Sequence, residues 1–338
     1  MKATPFMNKN FIESNLNKQE LSFEVPLRPQ CLTDFVGQDS IRDRLEVHIG
    51  AARQRGEVLG HCLFSGPPGL GKTTLASILS KAMESNLVLT SGPVIEKAGD
   101  LAGILTSLKT GDVLFIDEIH RLNRSVEEYL YQAMEDFALD LMIDSGPNAR
   151  SIQVKLNQFT LAGATTRLGL LSEPLRSRFA FTCRLEYYDP MILQKILLRT
   201  SRILNVKIDS EAALEIAKRS RGTPRVANHL LRWVRDFAQI KANNYIDLSV
   251  ANRALTMLSI DEKGLDEMDK KMLQTMIDHY SGGPVGINAI AASIGEEPST
   301  VEEVYEPYLI LQGLLKRTPR GREVTSLGYQ HIVGSSQR

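Results

Sequence analysis

Gly66-Pro-Pro-Gly-Leu-Gly71-Lys72-Thr73, entered from His61-Cys-Leu-Phe-Ser65 and left through a helical run to Met83, decides the fold class of this chain. The five residues before the loop read as a short buried strand. Leu75, Ile78, Leu79 and Met83 recur at helical spacing after it. Strand, glycine loop and helix together match G-x-x-x-x-G-K-[ST], in which Gly66, Gly69 and Gly71 let backbone N–H groups close around phosphate oxygens. Lys72 then reaches the β- and γ-phosphates, Thr73 binds Mg²⁺, and the helix N-terminus points its dipole at the same anion.

About forty residues on, Asp112-Val-Leu-Phe-Ile-Asp117-Glu118 supplies the second half of such a site. Val113 to Ile116 have the length and branching of a fully buried parallel strand, so Asp117 and Glu118 emerge at its carboxyl end, where open α/β sheets bind ligands. Asp117 is expected to hold Mg²⁺ through its water shell, and Glu118 to polarise an attacking water. Either half alone is compatible with an ordinary turn or helix start. In this order and spacing they point to an ATPase, with ATP and Mg²⁺ as its cofactors.

Length and composition set the frame. With 338 residues, two or three domains are expected, and 43% hydrophobic with 24% charged residues is ordinary for a soluble protein. No run approaches a membrane span, and the N-terminus lacks an export signal. Cys31, Cys62 and Cys183 lie far apart without C-x-x-C spacing, which argues against zinc and disulfides and fits a reducing cytoplasm. Charge is balanced at 40 basic and 40 acidic residues but unevenly spread: residues 1–188 carry a net −2, residues 189–260 a net +6 and residues 261–338 a net −4. Four of the eight basic residues of the last segment crowd into Lys316-Arg317-Thr-Pro-Arg320-Gly-Arg322, a local patch that can grip phosphates.

Four regions are expected. Residues 1–24 are polar and aperiodic and read as an arm. Residues 25–188 alternate apolar runs (Leu87–Leu89, Val113–Ile116, Phe159–Ala162) with helical stretches (Ser40–Gln54, Ser125–Phe137), the pattern of a wound parallel sheet. Inside it, Leu139–Ile143 and Ile152–Val154 flank the turn cluster Asp144–Asn148 and read as a projecting hairpin. Residues 189–260 read as a small all-helical domain. Residues 261–338 read as three helices, the third opened by a capping box at Ser299-Thr-Val-Glu302, and a basic hairpin, which is the outline of a winged helix.

Several stretches carry a family resemblance: Gly66 to Thr74, Gly111 to Leu122, Gly163-Ala-Thr-Thr-Arg167, Arg221-Gly-Thr-Pro-Arg225, Gly282-Gly-Pro-Val-Gly286 and Arg317-Thr-Pro-Arg-Gly-Arg322. From about Leu27 to His331 the chain resembles the RuvB family, bacterial AAA+ motors of Holliday-junction branch migration. The resemblance implies nucleotide contacts from Gly66, Gly69, Gly71, Lys72, Thr73 and Thr74, and a segment around adenine at Leu27 and Arg28. It makes Thr166 the sensor of the γ-phosphate, Arg225 a second sensor and Arg178 in Arg176-Ser-Arg-Phe179 an arginine finger given to a neighbouring subunit. It also implies a hinge position for Tyr188 and a stretch near the nucleotide at Glu135, Asp136 and Phe137. A finger given in trans requires an oligomer, and the family forms a hexameric ring around duplex DNA. The hairpin residues Leu141, Ile143 and Ile152 match the element that docks on RuvA, with the RuvC resolvase in the wider complex, and Arg317, Arg320 and Arg322 match the DNA-contacting wing, with Arg317 and Arg322 expected to contribute equally.

Family members usually have proline at the position of Gln132 and glycine at that of Ala180. A clamp-loader subunit or an ATP-switched replication initiator shares the nucleotide motifs and the Ser-Arg-Phe finger. The former usually carries a zinc cysteine cluster, absent here, and a helical collar in place of a basic wing.

Overall fold

The computed structural model describes residues 25–142 and 151–335. The expected arm (1–24), Ile143 and the turn at 144–148 lie outside them. The chain divides into two units, residues 1–192 with 223–225 and residues 193–222 with 226–338.

In the first unit the strands are β1 (Cys62–Ser65), β2 (Leu87–Ser91), β3 (Val113–Asp117), β4 (Ala138–Met142), β5 (Ser151–Lys155), β6 (Thr160–Thr165) and β7 (Phe181–Arg184). Five of them form one parallel sheet in the order β2-β3-β6-β1-β7. The three central strands are the most buried, because a parallel strand inside the sheet is covered on both faces. At the edge, β7 alternates buried Phe181 and Cys183 with exposed Thr182 and Arg184. Burying a Leu or Phe such as Leu63, Leu114, Leu161 or Phe159 contributes roughly 1.5–3 kcal/mol each, which makes this sheet the rigid part of the unit.

The helices of this unit are α1 (Asp39–Arg55), α2 (Lys72–Ala82), α3 (Ala98–Ser107), α4 (Arg124–Asp136) and α5 (Glu173–Ser177). Asn123 caps α4 by accepting a hydrogen bond from the Val126 amide, and Phe137 ends it with φ of 48°. Val126, Leu130, Ala133 and Met134 face the core. Glu127, Tyr131 and Glu135, one turn apart, run along another face of the same helix.

β4 and β5 make a separate antiparallel hairpin in which Leu141 pairs with Ile152. Its base is core, since Leu139 is fully buried, while Ile152 is half exposed. Gln132 ties that base to α4: its amide donates to Asp140 Oδ2 at 2.8 Å and its carbonyl accepts from the Asp140 amide at 3.2 Å.

Helices Pro190–Ile203 and Pro224–Lys241, apart from their first residues, belong to the second unit with Ser210–Lys218 and Leu248–Met257. The reading of residues 189–260 as wholly helical misses the two-residue parallel pair β8 (Lys207–Ile208) and β9 (Tyr245–Ile246). Trp233 is half-buried and donates its indole N–H to the Ala254 carbonyl at 2.8 Å.

Helices Glu267–Tyr280 and Ile287–Ile294, a helical segment over residues 298–311 and the hairpin β10 (Leu315–Thr318) and β11 (Gly321–Val324) surround their own core. Val285 adds a short antiparallel bridge to Arg322, and a further helix, Ser326–Ser335, follows the hairpin. The capping box expected at Ser299–Glu302 is not formed. Pro298 already starts the helix behind Glu297, so Ser299 lies inside it, and Val301–Tyr305 form a π turn. The capping box of this region is Asp266 with Asp269. Among the described residues, no helix is long and apolar enough to cross a membrane.

Candidate functional site

The strand order brings the two nucleotide motifs together. β6 lies between β1, which leads into the glycine loop, and β3, which ends at Asp117, so residues distant in sequence leave adjacent strand ends on one edge of the sheet. The Gly66 amide donates to the Thr165 carbonyl at 3.1 Å, fastening the loop to the end of β6. Gly66 has φ of +133°, and a Cβ there would stand 2.5 Å from the Leu185 carbonyl oxygen; Gly71 caps α2 with φ of +106° against the Phe35 ring. Neither position admits a side chain without displacing backbone or ring.

Lys72 is buried, and its ammonium donates to the carbonyls of Gly66 at 2.7 Å and Pro67 at 2.9 Å. Burial pulls its pKa down, opposed by the carboxylates of Asp117 and Glu118. Burial and the neighbouring Glu118 push the Asp117 carboxyl up. At each group desolvation outweighs the opposite charges beside it. Thr73 and Thr74 begin α2 beside Lys72.

Glu118 turns off β3 with φ of 46°. Its Oε2 accepts from the Thr166 hydroxyl at 3.0 Å, and His120 Nδ1 stands 3.2 Å from the same oxygen and 3.0 Å from Thr165 Oγ1. Arg225 approaches from the other side: its amide donates to the Gly69 carbonyl at 3.4 Å, and its charge is felt at both Lys72 and Asp117. Tyr188 is buried with its hydroxyl donating to the Leu70 carbonyl at 3.2 Å, and desolvation raises its pKa. Leu27 is buried at the end of a short 3-10 turn, and Arg28 after it is half-buried.

Arg178 and Glu135 meet away from the glycine loop. Arg178 Nη2 is 2.9 Å from Glu135 Oε2, Nη1 donates to the Pro174 carbonyl at 2.6 Å, and the guanidinium lies over the Tyr131 ring at 4.9 Å. Phe137 departs from the expected nucleotide contact: its ring packs on His61 and edge-on against Phe159 in the core, because the positive φ that ends α4 turns it inward. Asp136 between them is exposed.

The wing holds its arginines unequally. Arg317 and Arg322 sit directly opposite each other on β10 and β11, and both reach the carboxylate of Glu306, which is fully buried. Arg317 Nε is 2.7 Å from Oε1; Arg322 places Nε 3.2 Å from each oxygen and Nη2 3.0 Å from Oε2. The Arg322 side chain is 14% exposed against 52% for Arg317, and Arg320 at the turn is exposed. The two arginines, expected to contribute equally, thus differ in exposure and in their hold on Glu306. Sequence reasoning also passed over His120, Tyr131 and Glu306; only Glu306 left a signal, an acidic residue set in the apolar run Val304 to Leu311.

Comparison with known proteins completes the picture. Residues 27–185 match the Holliday junction DNA helicase RuvB P-loop domain, residues 188–261 the RuvB AAA lid domain and residues 262–333 the RuvB C-terminal winged helix domain. The Holliday junction branch migration complex subunit RuvB of Chlamydia pneumoniae is 60% identical over 93% of both chains, and that of Flavobacterium johnsoniae 57% over 96% of both. The solved Thermotoga maritima RuvB Holliday junction branch migration motor is 51% identical, covers 91% of this chain and 98% of its own, and superposes with a TM-score of 0.83. With a P-loop domain, a lid and a winged helix matched in that order over nearly its whole length, this chain belongs to the RuvB family.

Proposed function

We propose that this chain is an ATP hydrolase that drives branch migration of Holliday junctions, working in the cytoplasm as a homo-hexameric ring on duplex DNA beside a RuvA-type junction-binding partner and a RuvC-type resolvase. Its relatives are named as subunits of a branch migration complex, which supports DNA and a complex as its working partners. The regions are an arm (1–24), an ATPase domain (25–188), a helical lid (189–260) and a winged-helix head (261–338).

The observation that carries the reading is the placement of Glu118, held by Thr166 at the strand edge where the glycine loop also begins. Lys72 exchanges its two loop carbonyls for β- and γ-phosphate oxygens, a replacement favoured because a buried cation gains more from an anion than from neutral carbonyls. Glu118 accepts the proton of the attacking water, Thr166 fixes the carboxylate that does so, and Arg225 adds positive charge beside Gly69.

Mg²⁺ fits the donor set: a hydroxyl on Thr73 and a carboxylate on Asp117 are hard oxygen donors. Among the described residues no cluster of three His, Cys, Asp or Glu side chains could hold a metal. Bound by Thr73 and Asp117, it would neutralise charge on the phosphates.

The test is a synthetic four-way junction incubated with the protein, ATP and a junction-binding partner. Conversion to two duplexes is expected, and Glu118→Gln is expected to bind ATP while turnover falls roughly 10²–10⁴-fold. An intact junction, with hydrolysis limited to about one turnover per loading event, would favour a loading switch over a motor.

A further inference from the structure

We infer that Tyr131 and Glu135 are positioning residues for Arg178, fixing its guanidinium in the orientation in which it meets the nucleotide of a neighbouring subunit. The inference rests on the reading of Arg178 as a finger given in trans.

Arg178 follows α5 directly, and its guanidinium is restrained in three independent ways. One edge meets Glu135 Oε2 at 2.9 Å, a second meets the Pro174 carbonyl at 2.6 Å, and the face lies 4.9 Å from the centre of the Tyr131 ring. Two edge contacts and a face contact fix the position and tilt of a planar group. Tyr131 is itself held, because its hydroxyl is 2.7 Å from Ser172 Oγ, the residue that caps α5 by accepting from the Leu175 amide. The helix carrying Arg178 and the helix carrying its two supports are thereby locked to one another.

The Arg178 Nε–H is buried and has no acceptor. An arginine serving only as half of a surface ion pair would rotate to hydrate that donor, since buried polar groups are normally satisfied. Here the stacked ring and the Glu135 contact hold the side chain in place against that loss. Each Nη still has a second N–H beyond those spent on Glu135 and Pro174, and these are available to transition-state phosphate oxygens. A group already aimed where charge develops loses little on reorganisation during reaction. Glu135, expected from resemblance to bind nucleotide, is assigned instead to the finger.

Oligomeric full-length protein on duplex DNA is assayed for kcat and KM of ATP hydrolysis. Glu135→Gln and Tyr131→Leu are each expected to lower kcat about 10- to 100-fold, the cost of a small misplacement, with KM within about twofold of the parent. Tyr131→Phe, which keeps the ring face, should stay within about threefold in kcat. Mixing Glu135→Gln subunits with Lys72→Ala subunits should recover turnover, because the latter offer an intact, correctly seated finger to the intact pocket of the former. Glu135 is more than half exposed, so its substitution does not threaten the fold. A rise in KM with kcat unchanged, unchanged or faster turnover in Glu135→Gln and Tyr131→Leu, or an equal loss in Tyr131→Phe and Tyr131→Leu overturns the positioning role. Unimpaired hydrolysis by Arg178→Ala, or its failure to recover in mixed rings, overturns the underlying finger reading.

Discussion

Two places in this chain pair arginine with glutamate, and burial makes them different devices. Arg178 meets Glu135 where the carboxylate is 54% exposed, whereas Arg317 and Arg322 converge on Glu306, whose side chain is 1% exposed. An exposed ion pair contributes little to stability, so the first can serve orientation. A buried carboxylate stripped of a partner costs far more, because a charge without compensation is left in a poor solvent. The same residue types therefore suit a proposed reagent at Arg178 and a structural knot in the wing.

The largest effect that sharpens this contrast is Arg178→Ala. Turnover is expected to fall by roughly 10³ or more with ATP affinity and unfolding midpoint nearly unchanged, since a finger acts on transition-state charge. Steady-state kinetics, equilibrium nucleotide binding and thermal unfolding on one preparation separate the three quantities. A loss of stability comparable to the wing variants would erase the distinction between the two pairs.

Arg322→Ala inverts the pattern. Removing it takes Nε and Nη2 from Glu306 and leaves the buried carboxylate to Arg317 alone, at a cost of about 3 kcal/mol in the winged helix. Denaturant unfolding should show the loss, and any decline in DNA binding should track the unfolded fraction. An Arg322→Ala protein as stable as its parent but unable to bind DNA would make Arg322 a contact residue after all.

A third arginine–carboxylate pair lies between these cases. Asp269 is fully buried, pairs with Arg221 at 3.2 Å, and has its pKa raised by desolvation to about 6. A carboxyl whose folded pKa exceeds its unfolded value of 3.8 binds its proton more tightly in the folded state. Its contribution is therefore greatest below about pH 4 and is lost as pH rises to about 6, by up to about 3 kcal/mol. Asp269→Asn should flatten that part of the stability profile while keeping a side-chain oxygen for the helix cap. A parallel profile in the variant would mean that Arg221 already holds Asp269 ionised in that range.

Most of the sheet and the nucleotide edge were legible in sequence because their signals are local. Lys72 and Thr73 follow their glycines within one loop, and Asp117 and Glu118 follow four apolar residues directly. The hairpin was legible as strands and a turn, with an apolar stripe from Leu139 open to either a core or a docking role, and Leu139 itself is core. β7 was missed because its alternation runs for only four residues. The seat of Arg178 could not be read at all: Tyr131 and Ser172 are brought together by strand order, and no spacing rule links residues 41 apart. Glu306 was recoverable. Arg317 and Arg322 stand one pair outside the two-residue turn Pro319–Arg320, a register that sets like charges directly opposite, and such a pair calls for a counter-ion.

The smallest effect discriminates most finely, because Arg317 and Arg322 share one carboxylate yet differ in exposure. Arg317→Ala leaves Glu306 with Arg322 on both oxygens, so the knot survives and the stability loss should stay below about 1 kcal/mol. The Arg317 side chain is half in solvent, where it can reach a phosphate without abandoning a buried position. If it makes one such contact, DNA affinity falls alike on unrelated sequences, and the slope of log K against log salt flattens by about 0.9. Phosphate contacts of this kind suit a motor that must pass along any sequence, since they carry no base information. Titrations at several salt concentrations on two unrelated duplexes check both points. An unchanged slope with lowered stability would place Arg317 beside Arg322 as structure, and would leave Arg320 at the exposed turn as the wing's contact to DNA.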